Sequence, residues 1–284
     1  MPSPPPLLRF APSPNGYLHL GHAYSALFTA FWADRLGGTF LLRLEDIDPT
    51  RCRPEFAEAI VEDLRWLGLD WPEPVLVQSA RLPAYQAAAG RLRDMDLLYP
   101  CFCSRSEVAA HAIGTDPDGA PLYGGTCRHL DDDDVAARLT RGAPVQYRLR
   151  STEAAALTGP LSFTVAGPTP LDRPQIRYAR PHLWGDVVLQ RKDVPTSYHL
   201  SVVVDDAAQS ITHVTRGVDM EPATDIHVLL QMLLALPQPI YTFHRLLLGA
   251  DDRKLSKSKG SPTLRSLRES GWSAEDVRRE VGFD

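Results

Sequence analysis

Imidazoles at His19 and His22 flank Gly21 in the run His19-Leu20-Gly21-His22, and ammonium groups at Lys254 and Lys257 bracket a serine in Lys254-Leu255-Ser256-Lys257-Ser258. Both groupings suit phosphate chemistry. Imidazoles at a helix start donate to phosphate oxygens, and the free backbone N–H groups there add to the attraction. Gly21 leaves room for a purine to lie against the backbone. Two lysines in a serine-rich run can neutralise the charge that grows on a departing pyrophosphate. A third grouping is Cys101, Cys103 and Cys127, one thiolate short of a closed tetrahedral zinc site. Tyr123, four residues before Cys127, and His129, two after it, are the candidates for a fourth ligand. Imidazole is the better generic ligand, because a phenol must lose a proton of pKa about 10. Cys52 stands apart, beside an acidic loop, and reads as an unrelated thiol.

The surrounding pattern supplies elements to position these groups. Leu7 to Ala11 is a short apolar run cut by Pro12 and Pro14, which predicts a buried strand entering a loop. From Gly21 to Leu36 apolar residues recur at helical spacing, and Gly37-Gly38 ends the helix. Thr39 to Leu44 reads as a second strand with Glu45-Asp46 at its exit. Strand, helix and strand in that order predict a right-handed parallel unit, whose ligands bind beyond the carboxyl ends of the strands. Helices are expected at 55–67, 84–97 and about 225–236, and strands at 187–190, 202–204 and 211–214. Cysteine, Gly and Pro become frequent from Cys101 to about Pro181, which predicts an insertion between two halves of a sheet. The acidic run Asp131 to Asp134 within it reads as a surface turn or helix start.

Composition narrows the class. With 284 residues, 44% hydrophobic and 23% charged, the chain is an ordinary globular protein. The apolar stretch 228–236 is short and broken by Gln231, so no membrane span is expected. Met1 to Pro6 carries no basic residue, so no secretory signal is expected either. Four cysteines, three of them clustered, predict a reducing compartment, the cytoplasm, and a metal rather than disulfides. The net charge of −5 offers no general attraction for nucleic acid. The last 40 residues hold nine basic against seven acidic groups, so any RNA contact is expected to be local.

The run Arg9-Phe10-Ala11-Pro12-Ser13-Pro14-Asn15-Gly16, continuing to His22, resembles the N-terminus of glutamyl-tRNA synthetases, class I aminoacyl-tRNA synthetases. Leu41-Leu42-Arg43-Leu44-Glu45-Asp46-Ile47-Asp48 resembles their next strand, and the likeness continues through 198–206 and 216–259. Twenty-six residues follow Ser258, too few for an anticodon-binding domain, which points to the short glutamyl-Q tRNA(Asp) synthetase branch.

The resemblance implies an α/β fold: a Rossmann-type parallel sheet split by a zinc-containing insertion, a short helical C-terminal segment and no anticodon-binding domain. It implies 1–100 and 182–245 as halves of the nucleotide-binding domain, 101–181 as a zinc-binding, acceptor-binding-like insertion, and 246–284 as the lysine loop with C-terminal helices. The implied activity is ATP-dependent activation of L-glutamate to glutamyl-adenylate and transfer of the glutamyl group to queuosine in the anticodon of tRNA(Asp), by a monomer. A minimal synthetase charging a tRNA 3′ end and a non-catalytic nucleotide- or RNA-binding paralogue are the alternatives.

The resemblance also assigns residues. His19, His22, Lys254 and Lys257 would be catalytic, and Ser13, His19, Gly21, His22 and Lys257 would hold ATP with its Mg²⁺. Arg9, Ala11, Ser13, Glu45, Tyr198 and Arg216 would hold glutamate, whose one ammonium and two carboxylates call for an acid and two arginines. Among the zinc candidates the branch resembles the tyrosine arrangement, giving Cys101, Cys103, Tyr123 and Cys127. One departure is Val202, four residues after Tyr198, where full-length glutamyl enzymes tend to carry Asn. Valine offers no side-chain hydrogen bond there.

Overall fold

The computed structural model describes residues 4–167, 169, 172–247 and 262–283. Its elements run β1 (Leu7–Phe10), α1 (Leu20–Arg35), β2 (Thr39–Leu44), α2 (Pro54–Trp66), β3 (Leu76–Val77), α3 (Leu82–Asp94) and β4 (Leu98–Cys101). There follow α4 (Arg105–Ala110), α5 (Asp132–Thr140), β5 (Gln146–Leu149), α6 (Ser151–Thr158), β6 (Ser162–Val165), β7 (Gln175–Tyr178) and β8 (Val188–Gln190). The chain then forms α7 (Tyr198–Ala208), β9 (His213–Gly217), α8 (Thr224–Leu233), β10 (Ile240–His244), α9 (Leu264–Glu269) and α10 (Ala274–Val281).

A seven-stranded sheet of order β3-β2-β1-β9-β10-β6-β7 forms the centre. All its neighbours pair parallel except β6 and β7, so it is a mixed, mainly parallel α/β sheet. Its central strands β1, β2, β9 and β10 are mostly buried because both faces are covered, whereas the edge strand β7 is largely exposed. One core joins α1 and α2 to α9 and α10 around Leu8, Leu27, Trp32, Ile60, Leu64, Leu264 and Val277. The other joins α3, α7 and α8 around Leu92, Leu200, Val203, Leu229 and Tyr241. A separate antiparallel sheet, β4-β5-β8, carries Cys101 at the end of β4.

Local signals explain most boundaries. Helix α1 ends at Gly37, whose φ of 61° lies in the left-handed region that glycine enters without strain. Asp131 accepts from the Asp134 N–H and starts α5, so the acidic run is a helix start with its charges at the positive end of the dipole. No helix among the described residues is long and apolar enough to cross a membrane.

The expected strand at 202–204 is a correction. These residues lie in the middle of helix α7. Three consecutive valines favour a strand locally, but Leu200, Val202, Val203, Asp205 and Asp206 are all buried on different sides of the helix. An element buried all round has no alternation or stripe to reveal its period. Segment 101–181 contributes to both sheets, since β6 and β7 extend the main one. Strand β8, beyond it in sequence, pairs in the small one.

Candidate active site

Four parallel strands, β1, β2, β9 and β10, end on one side of the sheet, and a cavity of about 560 Å³ opens there. Its lining comes from the segments just beyond those carboxyl ends: Ala11 to Ser13 after β1, Glu45 after β2, Asp219 after β9 and Arg245 after β10. Two of the strands also contribute Arg9 and Arg216 themselves, while helix N-termini supply His19, Gly21, His22 and Tyr198. Every residue expected to meet glutamate, and every described residue expected to meet ATP, lines this one space. Lys254 and Lys257 lie outside the described residues.

An ion cluster builds the end near β1 and β2. Asp206 Oδ1 accepts from Arg9 Nε at 2.8 Å and from Arg43 Nη1 at 2.7 Å. Arg43, fully buried, also donates to Glu45 Oε1 at 3.2 Å. Burial pushes the Asp206 carboxyl up, but Arg9 and Arg43 outweigh it and hold the group below its ordinary range. Glu45 goes the other way: burial raises it, and Arg43 and Arg9 only partly offset that. A ligand cation beside Glu45 would complete the compensation.

The end near β9 is built differently. Arg216 Nη1 lies 3.1 Å from His227 Nδ1, and Nη2 donates to Thr224 Oγ1. The guanidinium sits over the rings of Tyr241 and Phe243 at 5.2 and 5.7 Å. No carboxylate pairs with it among the described residues, and its Nε has no hydrogen-bond partner among them. Burial raises the Tyr198 phenol, and Arg216 opposes that shift. Tyr198 is therefore a hydroxyl donor at neutral pH.

Between these ends lies the start of α1. His19 Nδ1 accepts from the Gly21 N–H at 3.1 Å, and His22 Nδ1 accepts from the His19 N–H at 3.2 Å. The two rings cap the helix reciprocally. With Nδ1 accepting in each, the neutral ring carries its proton on Nε2. A Cβ on Gly21 would stand 2.9 Å from His19 Cε1. Glycine here first makes room for the His19 ring, a closer constraint than the purine expected from sequence. Ser13 Oγ lies 3.5 Å from Cys52 Sγ, so that thiol stands just behind the cavity rather than apart from it.

The cysteine cluster is a separate small core with Tyr99 and Tyr123. The sulfurs of Cys101, Cys103 and Cys127 lie within 4.8 Å of one another, and those of Cys103 and Cys127 are 3.5 Å apart. The Tyr123 hydroxyl lies 3.5 Å from Cys101 Sγ and accepts from the Cys127 N–H at 2.7 Å. Zn–S and Zn–O bonds of about 2.3 and 2.0 Å place tetrahedral ligands roughly 3.5–3.8 Å apart, so this donor set fits zinc. Burial raises Cys101, but Tyr123, Arg148 and Gln146 outweigh it and bring the thiol down to about 7. Burial and Cys127 push Cys103 up to about 12. Crowded thiols that resist joint ionisation are what a dication would reconcile. His129 is exposed and stands outside the sulfur cluster.

The family profile described as tRNA synthetases class I (E and Q), catalytic domain, matches residues 7–281. This chain belongs to that family. As a member of the class I synthetases it is a ligase. A glutamyl-Q tRNA(Asp) synthetase of Rhodobacter capsulatus is 45% identical over 98% of this chain and 100% of its own length. A protein of the same name from Nocardia farcinica is 42% identical, over 95% of this chain and 81% of its own. A solved glutamate tRNA ligase from Elizabethkingia meningosepticum, in complex with its amino acid, superposes with a TM-score of 0.75 at 25% identity. That match covers 98% of this chain and 60% of the ligase.

Within this synthetase catalytic domain, four residues around the cavity were not singled out from sequence: Arg43, Asp206, Thr224 and His227. Arg43 had a visible signal, a lone charge in the apolar strand Phe40-Leu41-Leu42-Arg43-Leu44, which demands a buried counter-ion. Asp206 stands beside Asp205 just after Val202-Val203-Val204, a pair of acids at the end of an apolar run. Thr224 and His227 carried no comparable mark. Val202 is buried in the core and is not among the residues lining the cavity.

Proposed function

We propose that this chain activates L-glutamate with ATP to glutamyl-adenylate and transfers the glutamyl group to queuosine in the anticodon of tRNA(Asp). One observation carries the amino-acid half of the reading. A single cavity is lined by two buried arginines, a partly buried acid and a tyrosine hydroxyl beside a histidine-capped helix N-terminus. Two carboxylates and an ammonium match Arg9, Arg216 and Glu45, with Tyr198 adding a hydroxyl and Ala11 and Ser13 forming the adjoining wall. The tRNA half rests on the names of relatives matched over nearly the whole chain.

In this reading, Ser13, His19, Gly21 and His22 hold ATP, whose phosphates carry Mg²⁺. A glutamate α-carboxylate oxygen attacks the α-phosphorus, and the bond to the β-phosphate bridging oxygen breaks as pyrophosphate leaves. His19 and His22 donate from Nε2 to phosphate oxygens, and Lys254 and Lys257 offset the departing charge. The queuosine hydroxyl then attacks the activated carbonyl, and AMP leaves. The protein's part is positioning and charge stabilisation, with no covalent intermediate on a side chain. Segments 1–100 and 182–245 build the nucleotide-binding domain, with β6 and β7 of segment 101–181 added at one edge of its sheet. The rest of segment 101–181 holds one structural zinc on Cys101, Cys103, Tyr123 and Cys127, and segment 246–284 supplies the two lysines.

The test is transfer of labelled glutamate, with ATP present, onto tRNA pools with and without queuosine. The expected result is label confined to the queuosine pool and absent when periodate has cleaved the diol of that base before the transfer. Equal labelling of both pools would instead support a synthetase charging the 3′ end. No labelling of either, with no pyrophosphate exchange, would favour a binding paralogue.

A further inference from the structure

Arg216 enters the cavity from β9, but the groups that fix it come from α8. His227 Nδ1 lies 3.1 Å from Nη1, and Thr224 Oγ1 accepts from Nη2. Thr224 and His227 are three residues apart in the first turn of α8 and so face the same way. A guanidinium has no lone pair to give, so His227 Nδ1 must be the acceptor and the ring proton must sit on Nε2. Nε2 lies 3.3 Å from His199 Nδ1, which accepts in turn. The two imidazoles thus form a relay with one possible tautomer order. Burial, helped by the charge of Arg216, keeps both neutral: His199 falls to about 4, and His227 falls well below its ordinary value. A protonated His227 would lose its acceptor and set a second cation against Arg216.

The aromatic rings of Tyr241 and Phe243 pack against the guanidinium. Nε is buried and out of a ligand's reach, so what remains is the second hydrogen on each Nη, beside the Tyr198 hydroxyl. Those are the donors that make a bidentate pair with a carboxylate.

We propose that His227 and Thr224 are positioning residues for substrate recognition, holding Arg216 by one N–H on each Nη so that the second N–H on each meets a carboxylate of the amino-acid substrate. This rests on the glutamate reading above. Neither residue touches substrate or the reacting atoms. Their role is to remove the freedom of a long side chain before the ligand arrives, so that binding does not bear that entropy.

The replacements at 227 make the proposal separable from a packing role. Leucine fills most of the imidazole volume but accepts no hydrogen bond. Asparagine leaves more empty space, yet its Oδ1 sits where Nδ1 sat. Packing alone ranks Leu above Asn, whereas positioning ranks Asn above Leu. The experiment is glutamate-dependent ATP–pyrophosphate exchange on wild type, His227→Leu, His227→Asn and Thr224→Val, with thermal denaturation of each. His227→Leu should raise the glutamate KM roughly tenfold or more while the ATP KM moves less than about twofold. His227→Asn should recover most of the loss despite a lower melting temperature, and Thr224→Val should fall between. Glutamate KM values that follow thermal stability, or that rise together with the ATP KM, would overturn the proposal. A wild type whose exchange ignores glutamate would overturn the glutamate reading itself. A wild type that needs glutamate, beside a His227→Leu variant that matches it, would overturn the positioning role alone.

Discussion

Arg9 and Arg216 reach one cavity from the adjacent strands β1 and β9 and are buried alike, at 5% and 7% exposure. Their charges are balanced in opposite ways. Arg9 is bound to Asp206, a carboxylate it shares with Arg43. Arg216 is held by an imidazole, a hydroxyl and two aromatic rings, all neutral. A buried charge with a counter-ion is fixed in place by the fold, but much of its attraction for a further anion is already spent. A buried charge held by neutral groups costs stability and keeps that attraction for a ligand. The difference teaches that two arginines of similar burial can be held in different ways beside one cavity. In the glutamate reading both meet a carboxylate, but Arg9 does so while tied to the scaffold by an ion pair, whereas Arg216 has no counter-ion among the described residues until the ligand arrives.

The division can be broken from either side. The largest effect is expected at Asp206→Asn, which leaves Arg9 and Arg43 buried without their shared anion. It should cost about 3–5 kcal/mol in urea unfolding, and a loss under about 1 kcal/mol would contradict the scaffold role. Next is Arg216→Met, which keeps the volume and removes the charge. Its kcat/KM for glutamate in pyrophosphate exchange should fall about a hundredfold, close to 2.7 kcal/mol, while stability stays level or rises. A large stability loss would make Arg216 scaffold too.

The smallest effect concerns acid. His199 is neutral in the folded protein down to about pH 4 and takes its proton near 6.5 when unfolded. Between those values the unfolded chain binds more protons, so stability rises with pH across the window and falls on acidification. The slope from this group is up to about 1.4 kcal/mol per pH unit. His199→Gln should flatten the profile between pH 4.5 and 6.5 relative to wild type, and an unchanged slope would contradict a neutral relay beside Arg216.

How much of this was legible in the sequence follows from how local each signal was. Helix α1 announced itself through its spacing and the glycines that end it. Arg9, Glu45, Tyr198 and Arg216 stood in runs dense enough to resemble a family, and all four line the cavity. Asp206 was quoted within such a run, but its pairing with Arg9 spans 197 residues and its pairing with Arg43 spans 163. No spacing rule reports partners at that distance. His227 sits in the apolar helix α8, where a single imidazole reads as an ordinary core residue until Arg216 is seen against it. The three valines of α7 misled for a related reason, since their local preference is for strand and only burial on several sides makes them helical. The cysteines were legible as a cluster, whereas the 3.5 Å approach of the Tyr123 hydroxyl required the folded chain.

The most direct test of the account is ATP–pyrophosphate exchange without tRNA, titrated with glutamate, on wild type and Arg216→Met side by side. The account predicts exchange that depends on glutamate in the wild type. It predicts a requirement for about a hundredfold more glutamate in the variant, at a melting temperature level with wild type or higher. Exchange indifferent to glutamate, or equal titration curves for the two proteins, would contradict it.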